Sequence, residues 1–359
     1  MSLPRTMKAV VVHGIEDYRL EEVPVPEVGP GEVLVQIKAT GVCASDVKTY
    51  YGARVWGSAQ IEPYIETPVI AGHEFVGQVV ALGNGAAEKY GLVPGDLAIS
   101  EQIVPCWQCR FCRRGQYWMC QRHDIYGFKH GRAEGSWAEY MKFPAGAINH
   151  KVPSHVRPEH GALVEPLACA IHAVERGEIK LGDVVVIAGM GPIGLCMLQV
   201  ARLKNPELLI ALDLQEHRLH LARELGADMA LNPAMEDAPR RVLELTGGYG
   251  CDVYIEATGA EGGVIQGLQM IRKLGTFVEF SVHAGPVAVD WSIIGDQKEL
   301  NIHGAHLGPY CYPRAIQYIA DGTVAADRIV THTLPLEHFG EAIELAHKQT
   351  ESVKVVLIP

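Results

Sequence analysis

The 359-residue sequence has no surplus of basic charge: 31 Lys and Arg stand against 42 Asp and Glu, a formal net charge of −11. That balance argues against a nucleic-acid surface and against anionic membranes as partners. No long apolar run is present either. The longest, VVVIAGMGPIGLCMLQVA, is broken by glycine and proline, so no membrane span is expected. The start, MSLPRTMKAVVV, has no basic segment followed by an apolar core and a cleavage site, so we expect no secretory signal and a cytoplasmic protein. An even disulfide framework is also missing. The nine cysteines are an odd number, and four crowd between 106 and 120, a pattern that favours metal ligation. With 48% hydrophobic and 20% charged residues, the composition is that of a soluble globular protein long enough for two domains.

What the sequence does have is an ordered stretch at 184–213, VVVIAGMGPIGLCMLQVARLKNPELLIALD. An apolar β-branched run leads into GMGPIG at 189–194. An apolar helical segment follows, then a second apolar run that ends on Asp213. The order reads as strand, tight glycine turn, helix, strand and acid. Gly189 permits the turn, Gly191 lets the backbone approach a pyrophosphate, and Gly194 lets helix and strand pack closely. Pro192 and Ile193 open the helix, where free N–H groups and the positive end of the helix dipole suit phosphate. Asp213 lies about 20 residues past the last glycine, where a carboxylate accepts hydrogen bonds from ribose hydroxyls and repels a 2′-phosphate. The expected cofactor is NAD. A glycine-rich turn that binds nothing is the competing reading, and the flanking strands and acid speak against it.

Residues 8–40 read as β structure, with strand-like KAVVVHG and EVLVQIKAT separated by a Pro/Gly-rich segment. Cys43 then stands between a strand and a helix whose first turn carries Ser45 and Asp46. His73 and Glu74 are adjacent in AGHEF, and Glu165 precedes an apolar helical stretch in GALVEPLACAIHAVE. Thiol, imidazole and carboxylate can converge on zinc, and three protein ligands with an open fourth position make a catalytic site. Each residue alone has a plainer reading: Cys43 as a small buried residue, Glu165 as an acid at a helix N-terminus. The sharpest metal signal is VPCWQCRFCRRGQYWMC at 104–120. Cys106, Cys109, Cys112 and Cys120 are spaced C-x2-C-x2-C-x7-C, four thiolates on one short lobe, which suits a closed structural zinc site. Two competitors share the pattern. One is a nucleic-acid zinc ribbon, helped by Arg110, Arg113 and Arg114 but opposed by the acidic whole. The other is an iron–sulfur cluster.

Residues 50–68 form an irregular stretch with Tyr50, Tyr51, Trp56 and Tyr64, read either as a substrate wall or as a packed surface loop. Phe128 is a further candidate for the cleft. After Asp213 helical and strand-like segments alternate, which predicts a doubly wound parallel sheet. The pattern places a helix over 262–275, a strand over 276–282, and a candidate edge strand for pairing at PVAVDW, 286–291. Ligands bind at the carboxyl ends of such strands, so Thr258, Phe280 and Ser281 are cofactor-contact candidates. Arg218 either covers the adenine or is a solvated helix residue. The tail from about 301 suggests a bend, a helix and a closing strand, VKVVLIP.

GVCASD, AGHE, the four-cysteine lobe, EPLACAIHA and GMGPIG occur in this order. Together they resemble the zinc-dependent medium-chain dehydrogenase/reductase family over nearly the whole chain, and within it the polyol (sorbitol-type) and threonine dehydrogenase branch. The resemblance implies an α/β protein. A GroES-like, β-rich catalytic domain would occupy 1–160, completed by 302–359, and a Rossmann domain with a doubly wound parallel sheet would occupy 161–301. It also implies one catalytic and one structural zinc per chain, NAD, and a homodimer or homotetramer. Cys43 and His73 match catalytic zinc ligands. Glu74 matches a carboxylate that ligates zinc or lies just behind it, and Glu165 one that ligates zinc or holds its water. Two carboxylates plus a thiolate overbalance Zn²⁺, so alternate ligation is expected. Ser45 matches the hydroxyl that touches the substrate oxygen, and Asp46 a partner that fixes the His73 tautomer. Lys48 stands where the family often has a proton-relaying His, so the proton leaves through Lys48 or through water. In sorbitol dehydrogenase an Arg-Tyr pair holds distal hydroxyls; here the tail reads HLGPYC, with His306 and Tyr310 close by. The expected substrate is therefore a shorter sugar alcohol, a tetritol such as erythritol or threitol, oxidised at a secondary alcohol to the ketose. Threonine or simple alcohol oxidation, and non-catalytic dinucleotide binding, are the alternatives.

Overall fold

The computed structural model describes residues 3–58 and 60–359. The chain divides into two compact units, one running to Glu165 and resuming over Tyr312–Pro359, the other Pro166–Cys311. In the first unit β1 (Thr6–Gly14) and β2 (Asp17–Pro24) form an antiparallel hairpin. Side chains alternate across a strand, so β1 feeds two separate cores. Met7, Ala9 and Val11 pack with Ala138, while Val10 and Val12 pack with Trp137. β3 (Val33–Gly41) follows, and the short β4 (Val69–Ile70) closes the other edge of β1. β5 (Phe75–Leu82) pairs antiparallel with β3 and with β6 (Leu97–Ser100). β7 (Ile103–Val104) and β8 (Asp124–Ile125) form a two-stranded ribbon at the cysteine lobe. β9 (Tyr140–Phe143) pairs with β3, and β10 (Asn149–Val152) with β6.

The second unit is built on β11 (Val184–Ala188), β12 (Leu208–Leu212), β13 (Met229–Leu231), β14 (Cys251–Glu256), β15 (Ile271–Glu279) and β16 (Asn301–Gly304). Their order is β13-β12-β11-β14-β15-β16, and every neighbouring pair is parallel. The helices Pro192–Arg202, Glu216–Glu224, Ala238–Leu245 and Glu261–Met270 make the connections. A parallel sheet covered on both faces needs apolar residues on both, which is why β11 and β12 read VVVIA and LLIAL. The strand order reverses between β11 and β14, the place where open sheets of this kind bind ligands.

Two expected elements differ here. The helix over 262–275 ends at Met270, because Ile271 pairs with Cys251 and Leu274 adopts a positive φ of 60°. The chain then bulges before regular pairing resumes at Thr276. The segment 286–291 forms no strand. The free edge of β15 is already taken by β16, with Asn301 opposite Thr276, so β16 is the sheet edge. The same pairing keeps the chain in the second unit past 301, up to Cys311, and the unit begins inside the helix Val164–Arg176 rather than at 161.

The chain returns to the first unit through the helix Tyr312–Ala320 and through β17 (Val330–Pro335), the helix Phe339–Lys348 and β18 (Lys354–Ile358). β18 pairs parallel with β17 and antiparallel with β3, setting Val356 opposite Gly41. The closing strand thus lies next to the strand that leads into Cys43.

Trp137 anchors the core beneath this junction. It is fully buried, its indole N–H donates to the Gly41 carbonyl at 3.2 Å, and a Cβ on Gly72 would strike its ring. Trp137→Ala should cost about 3–5 kcal/mol of stability, the usual price of an aromatic-sized cavity. Urea unfolding reads it, and a loss under about 1 kcal/mol would mean the site collapses around the gap.

Candidate active site and metal centres

After β3 the chain turns at Cys43 into the helix Ala44–Tyr50. Asp46, buried in its first turn, accepts the Cys43 N–H at 2.9 Å through Oδ2. Its other oxygen lies 3.5 Å from Nδ1 of His73. On the opposite side of the ring, His73 Nε2 is 3.4 Å from Ser45 Oγ. His73 and Glu74 come from the connection between β4 and β5, both buried. The ligand atoms of Cys43, His73 and Glu74 all lie within 4.8 Å of one another. Burial alone pushes the His73 ring down, but Asp46, the Cys43 thiol and Glu165 outweigh it and raise its proton affinity well above the ordinary value. Burial in turn raises Asp46. A half-buried thiol beside a buried imidazole and carboxylate, all sharing one small volume, fits a divalent cation, and the donor set is that of zinc.

Glu165 stands outside that trio. It is buried in the first turn of the helix Val164–Arg176, and its Oε1 accepts the Gln102 amide at 2.6 Å. The Tyr312 hydroxyl donates to the Gln102 side-chain oxygen at 2.6 Å and accepts the Gln102 backbone N–H at 3.1 Å, so the amide cannot turn over. Sequence reasoning missed Gln102 and Tyr312, and nothing in either neighbourhood signals them. It also missed Lys354, whose Nζ pairs with Glu74 and donates to the Val42 carbonyl at 3.0 Å. Its one sequence sign is a lysine inside the apolar closing strand. Lys48 lies on the exposed side of its helix. Among the aromatics, Phe128 packs beside the His73 ring with centroids 5.8 Å apart, and Tyr64 lies 5.7 Å from Phe128. All four belong to or pack against the same core as Trp137, with Phe128 inside it and Tyr50, Trp56 and Tyr64 at its margin.

The four-cysteine lobe is as compact as its spacing suggested. All four sulfurs lie within 4.8 Å of one another, with Cys109 to Cys112 at 3.5 Å and Cys106 to Cys112 at 4.0 Å. A tetrahedron of thiolates at a Zn–S length of ~2.3 Å has edges of about 3.8 Å. Backbone N–H groups already point at the sulfurs: Cys109 to Cys106, Cys112 and Gln121 to Cys109, Cys106 to Cys120. Those of Cys112 and Gln121 bring the Cys109 thiol down to about 6, while burial pushes Cys112 up to about 12. All nine cysteines are free of disulfides.

In the second unit the glycine turn has the expected construction. Gly189 has a φ of 93°, and a Cβ there would meet the Ala257 carbonyl at 2.8 Å. Gly191 precedes Pro192, which opens the helix at a position that has no use for an N–H. A Cβ on Gly191 would meet only the Arg218 guanidinium, at 3.9 Å, so open space faces the turn. Arg218 is 6% exposed, which removes the solvated-helix reading. A Cβ on Gly194 would run into the Gly189 carbonyl. Gly194→Ala must therefore push the helix Pro192–Arg202 off the turn, at about 1–3 kcal/mol. We expect NAD affinity to fall about 10–100-fold in a calorimetric titration; unchanged affinity would show that the turn does not hold the cofactor.

Asp213 directly follows β12 and does more than wait for a ribose. Its Oδ2 accepts the Met190 N–H of the turn at 2.7 Å and its Oδ1 the Gln215 N–H at 2.8 Å. Thr258, Phe280 and Ser281 gather at the carboxyl ends of β14 and β15. Thr258 N–H donates to Glu256 at 2.8 Å, Phe280 N–H to the Glu256 carbonyl at 3.3 Å, and Ser281 N–H to Glu279 at 2.9 Å. His306 and Tyr310 belong to this unit.

The comparisons agree with this architecture. A model described as the alcohol dehydrogenase GroES-like domain matches residues 29–154, and one described as zinc-binding dehydrogenase matches 192–321. The erythritol/L-threitol dehydrogenase of Mycolicibacterium smegmatis is 53% identical over 358 residues, 99% of each chain. The L-threonine 3-dehydrogenase of Pyrococcus horikoshii is 36% identical over 94% of each chain. Among solved structures, a zinc-binding dehydrogenase of Sinorhizobium meliloti bound to NADP superposes with a TM-score of 0.88 at 29% identity, covering 99% of both chains. A GroES-like β-rich unit joined to a parallel dinucleotide-type sheet, with two thiol-bearing centres, defines a zinc-binding dehydrogenase. The chain belongs to the zinc-dependent medium-chain dehydrogenase family.

Proposed function

We propose that this protein is a zinc-dependent, NAD-linked sugar-alcohol dehydrogenase that oxidises a secondary alcohol of a tetritol, erythritol or threitol, to the ketose. The observation that carries the reading is the convergence of Cys43, His73 and Glu74 within 4.8 Å, with the Ser45 hydroxyl against His73. The tetritol is supported by 53% identity to the erythritol/L-threitol dehydrogenase across both full lengths.

Cys43, His73 and one of Glu74 and Glu165 would hold the catalytic zinc, and Cys106, Cys109, Cys112 and Cys120 the structural one. Zinc in the first site supplies Lewis-acid polarisation of the substrate oxygen. The protein's own groups do the rest. Asp46, fixed by the Cys43 N–H, orients the His73 ring. Ser45 Oγ accepts the hydroxyl proton, and Lys48 on the same helix is the candidate that passes it to water. Phe128 packs against His73 and shields that side from solvent. Gly189, Gly191 and the N-terminus of the helix at Pro192 seat the pyrophosphate, with Arg218 alongside. Asp213 takes the adenosine ribose and disfavours a 2′-phosphate, so the cofactor is NAD although the Sinorhizobium meliloti neighbour was solved with NADP. The net reaction turns a carbinol and NAD⁺ into a ketone, NADH and a proton.

We also read the protein as a cytoplasmic homodimer or homotetramer. The exposed parallel edge at β16 offers one surface for strand pairing, no described helix is long and apolar enough to cross a membrane, and free thiols suit a reducing compartment.

NADH formation across four-, five- and six-carbon sugar alcohols, with threonine as an outgroup, tests the substrate. A maximum on erythritol or threitol supports it. Turnover of threonine alone would transfer the mechanism to an amino alcohol, in line with the Pyrococcus horikoshii relative.

A further inference from the structure

We propose that Lys354 is a positioning residue of the catalytic metal site. It holds Glu74 as its own counter-ion and so decides whether that carboxylate ligates the metal. The proposal rests on the zinc reading of Cys43, His73 and Glu74.

Lys354 is 2% exposed and Glu74 1%, and the two form an ion pair across the β3 backbone. The sheet makes the meeting possible. β3 lies between β5 and β18, with Gly41 opposite Val356 on one side and its N–H on the Glu74 carbonyl at 2.7 Å on the other. A Cβ on Gly41 would collide with both the Glu74 carboxylate and the Lys354 side chain. Glycine at this one position opens the passage between them. The Lys354 ammonium also donates to the Val42 carbonyl at 3.0 Å, one residue before the Cys43 ligand.

Charge decides what the pair does. A dication with one thiolate and two carboxylates carries a surplus negative charge, and burial makes such a surplus expensive. The Lys354 ammonium offsets that surplus. The two carboxylates are held differently. Glu165 accepts a hydrogen bond from the neutral Gln102 amide. Glu74 is held by a full positive charge. Glu74 therefore divides its attraction between Lys354 and the metal, and Lys354 keeps a ligand position open for substrate. Without Lys354, Glu74 loses the cation that competes with the metal for it.

The test uses the full-length holoenzyme and reads metal, not turnover. Wild type, K354M, E74Q and K354M/E74Q are compared for zinc content, for the rate at which a chelator removes the catalytic zinc, and for the visible spectrum after cobalt replaces it. In K354M the freed Glu74 should bind the metal, slowing release about ten-fold and shifting the cobalt bands, the size expected for changes just behind a metal's ligands. E74Q leaves Lys354 unpaired beside a dication, so release should quicken about ten-fold. The double variant, with neither charge, should return to within about three-fold of wild type. A K354M protein with wild-type release and wild-type cobalt bands overturns the proposal. If K354M does not fold, E74Q and the double variant still decide: slower release in the double supports the role, and equal rates overturn it. Wild-type protein that holds only the four-cysteine zinc would instead overturn the zinc reading of the first site, and this inference with it.

Discussion

Cys43→Ser is expected to abolish sugar-alcohol oxidation, lowering kcat/KM by about 10³-fold or more, the loss of ~4 kcal/mol of Lewis-acid stabilisation. The fold should survive. Serine is among the best helix N-caps, so the helix Ala44–Tyr50 keeps its start, and the Asp46 contact to the residue-43 backbone N–H does not depend on the side chain. What disappears is the thiolate. A serine hydroxyl does not ionise near neutral pH, so the site keeps an imidazole and carboxylates that already have other partners: Glu74 is paired with Lys354 and Glu165 with Gln102. The zinc content should fall by one per chain, because the lobe at 106–120 is independent of Cys43. NAD titration should be unchanged, since Gly189, Gly191 and Asp213 lie in the other unit. A Cys43→Ser protein that retains both zincs and activity within about ten-fold of wild type would remove Cys43 from the ligand set.

The sequence disclosed the parts of this protein that are local. The lobe is legible because four ligands sit within fifteen residues, so their spacing alone points to one compact metal-binding cluster. The glycine turn is legible because each glycine answers a demand of its own few neighbours, as the Gly194–Gly189 approach shows. Cys43, His73, Glu74 and Glu165 stand out in the sequence by donor type, and motif resemblance assigned each its role at one site. Beyond that, long-range partners stay hidden. Lys354 meets Glu74 across 280 residues, and the meeting depends on β18 pairing with β3 and on a glycine at 41. Gln102 finds Glu165 in the same way, through tertiary packing that no periodicity encodes. The failure at 286–291 has the complementary cause. Its alternation resembles a strand, but a strand needs a vacant neighbour, and β16 had taken the edge of β15. At 271–275 a helical pattern yielded to the pairing of Ile271 with Cys251, a case of tertiary structure overriding local preference.

Asp213→Ser is expected to produce two effects with separate causes. The first is a change in discrimination. Removing the carboxylate takes away the acceptor for the ribose hydroxyls and the charge that repels a 2′-phosphate. Each charge-assisted hydrogen bond contributes about 1.5–3 kcal/mol, so the NAD-over-NADP preference in kcat/KM should shrink by at least about 100-fold. Arg218, buried beside Gly191, adds a positive charge close to the turn and should make the residual NADP activity measurable. The second effect is a loss common to both cofactors. Asp213 Oδ2 holds the Met190 N–H inside the glycine turn, and a shorter serine side chain leaves that amide without its anion. The turn should loosen, and affinity for either dinucleotide should fall about ten-fold, an unsatisfied-donor cost of ~1–3 kcal/mol. Steady-state kinetics with both cofactors separates the two, because the common loss cancels in the ratio. A fall in both with an unmoved ratio would make Asp213 a clamp for the turn alone and would return the choice between NAD and NADP to other groups near Arg218. A shifted ratio with undiminished affinity would show that the turn holds its shape without the Met190 contact, leaving Asp213 with the ribose as its one function.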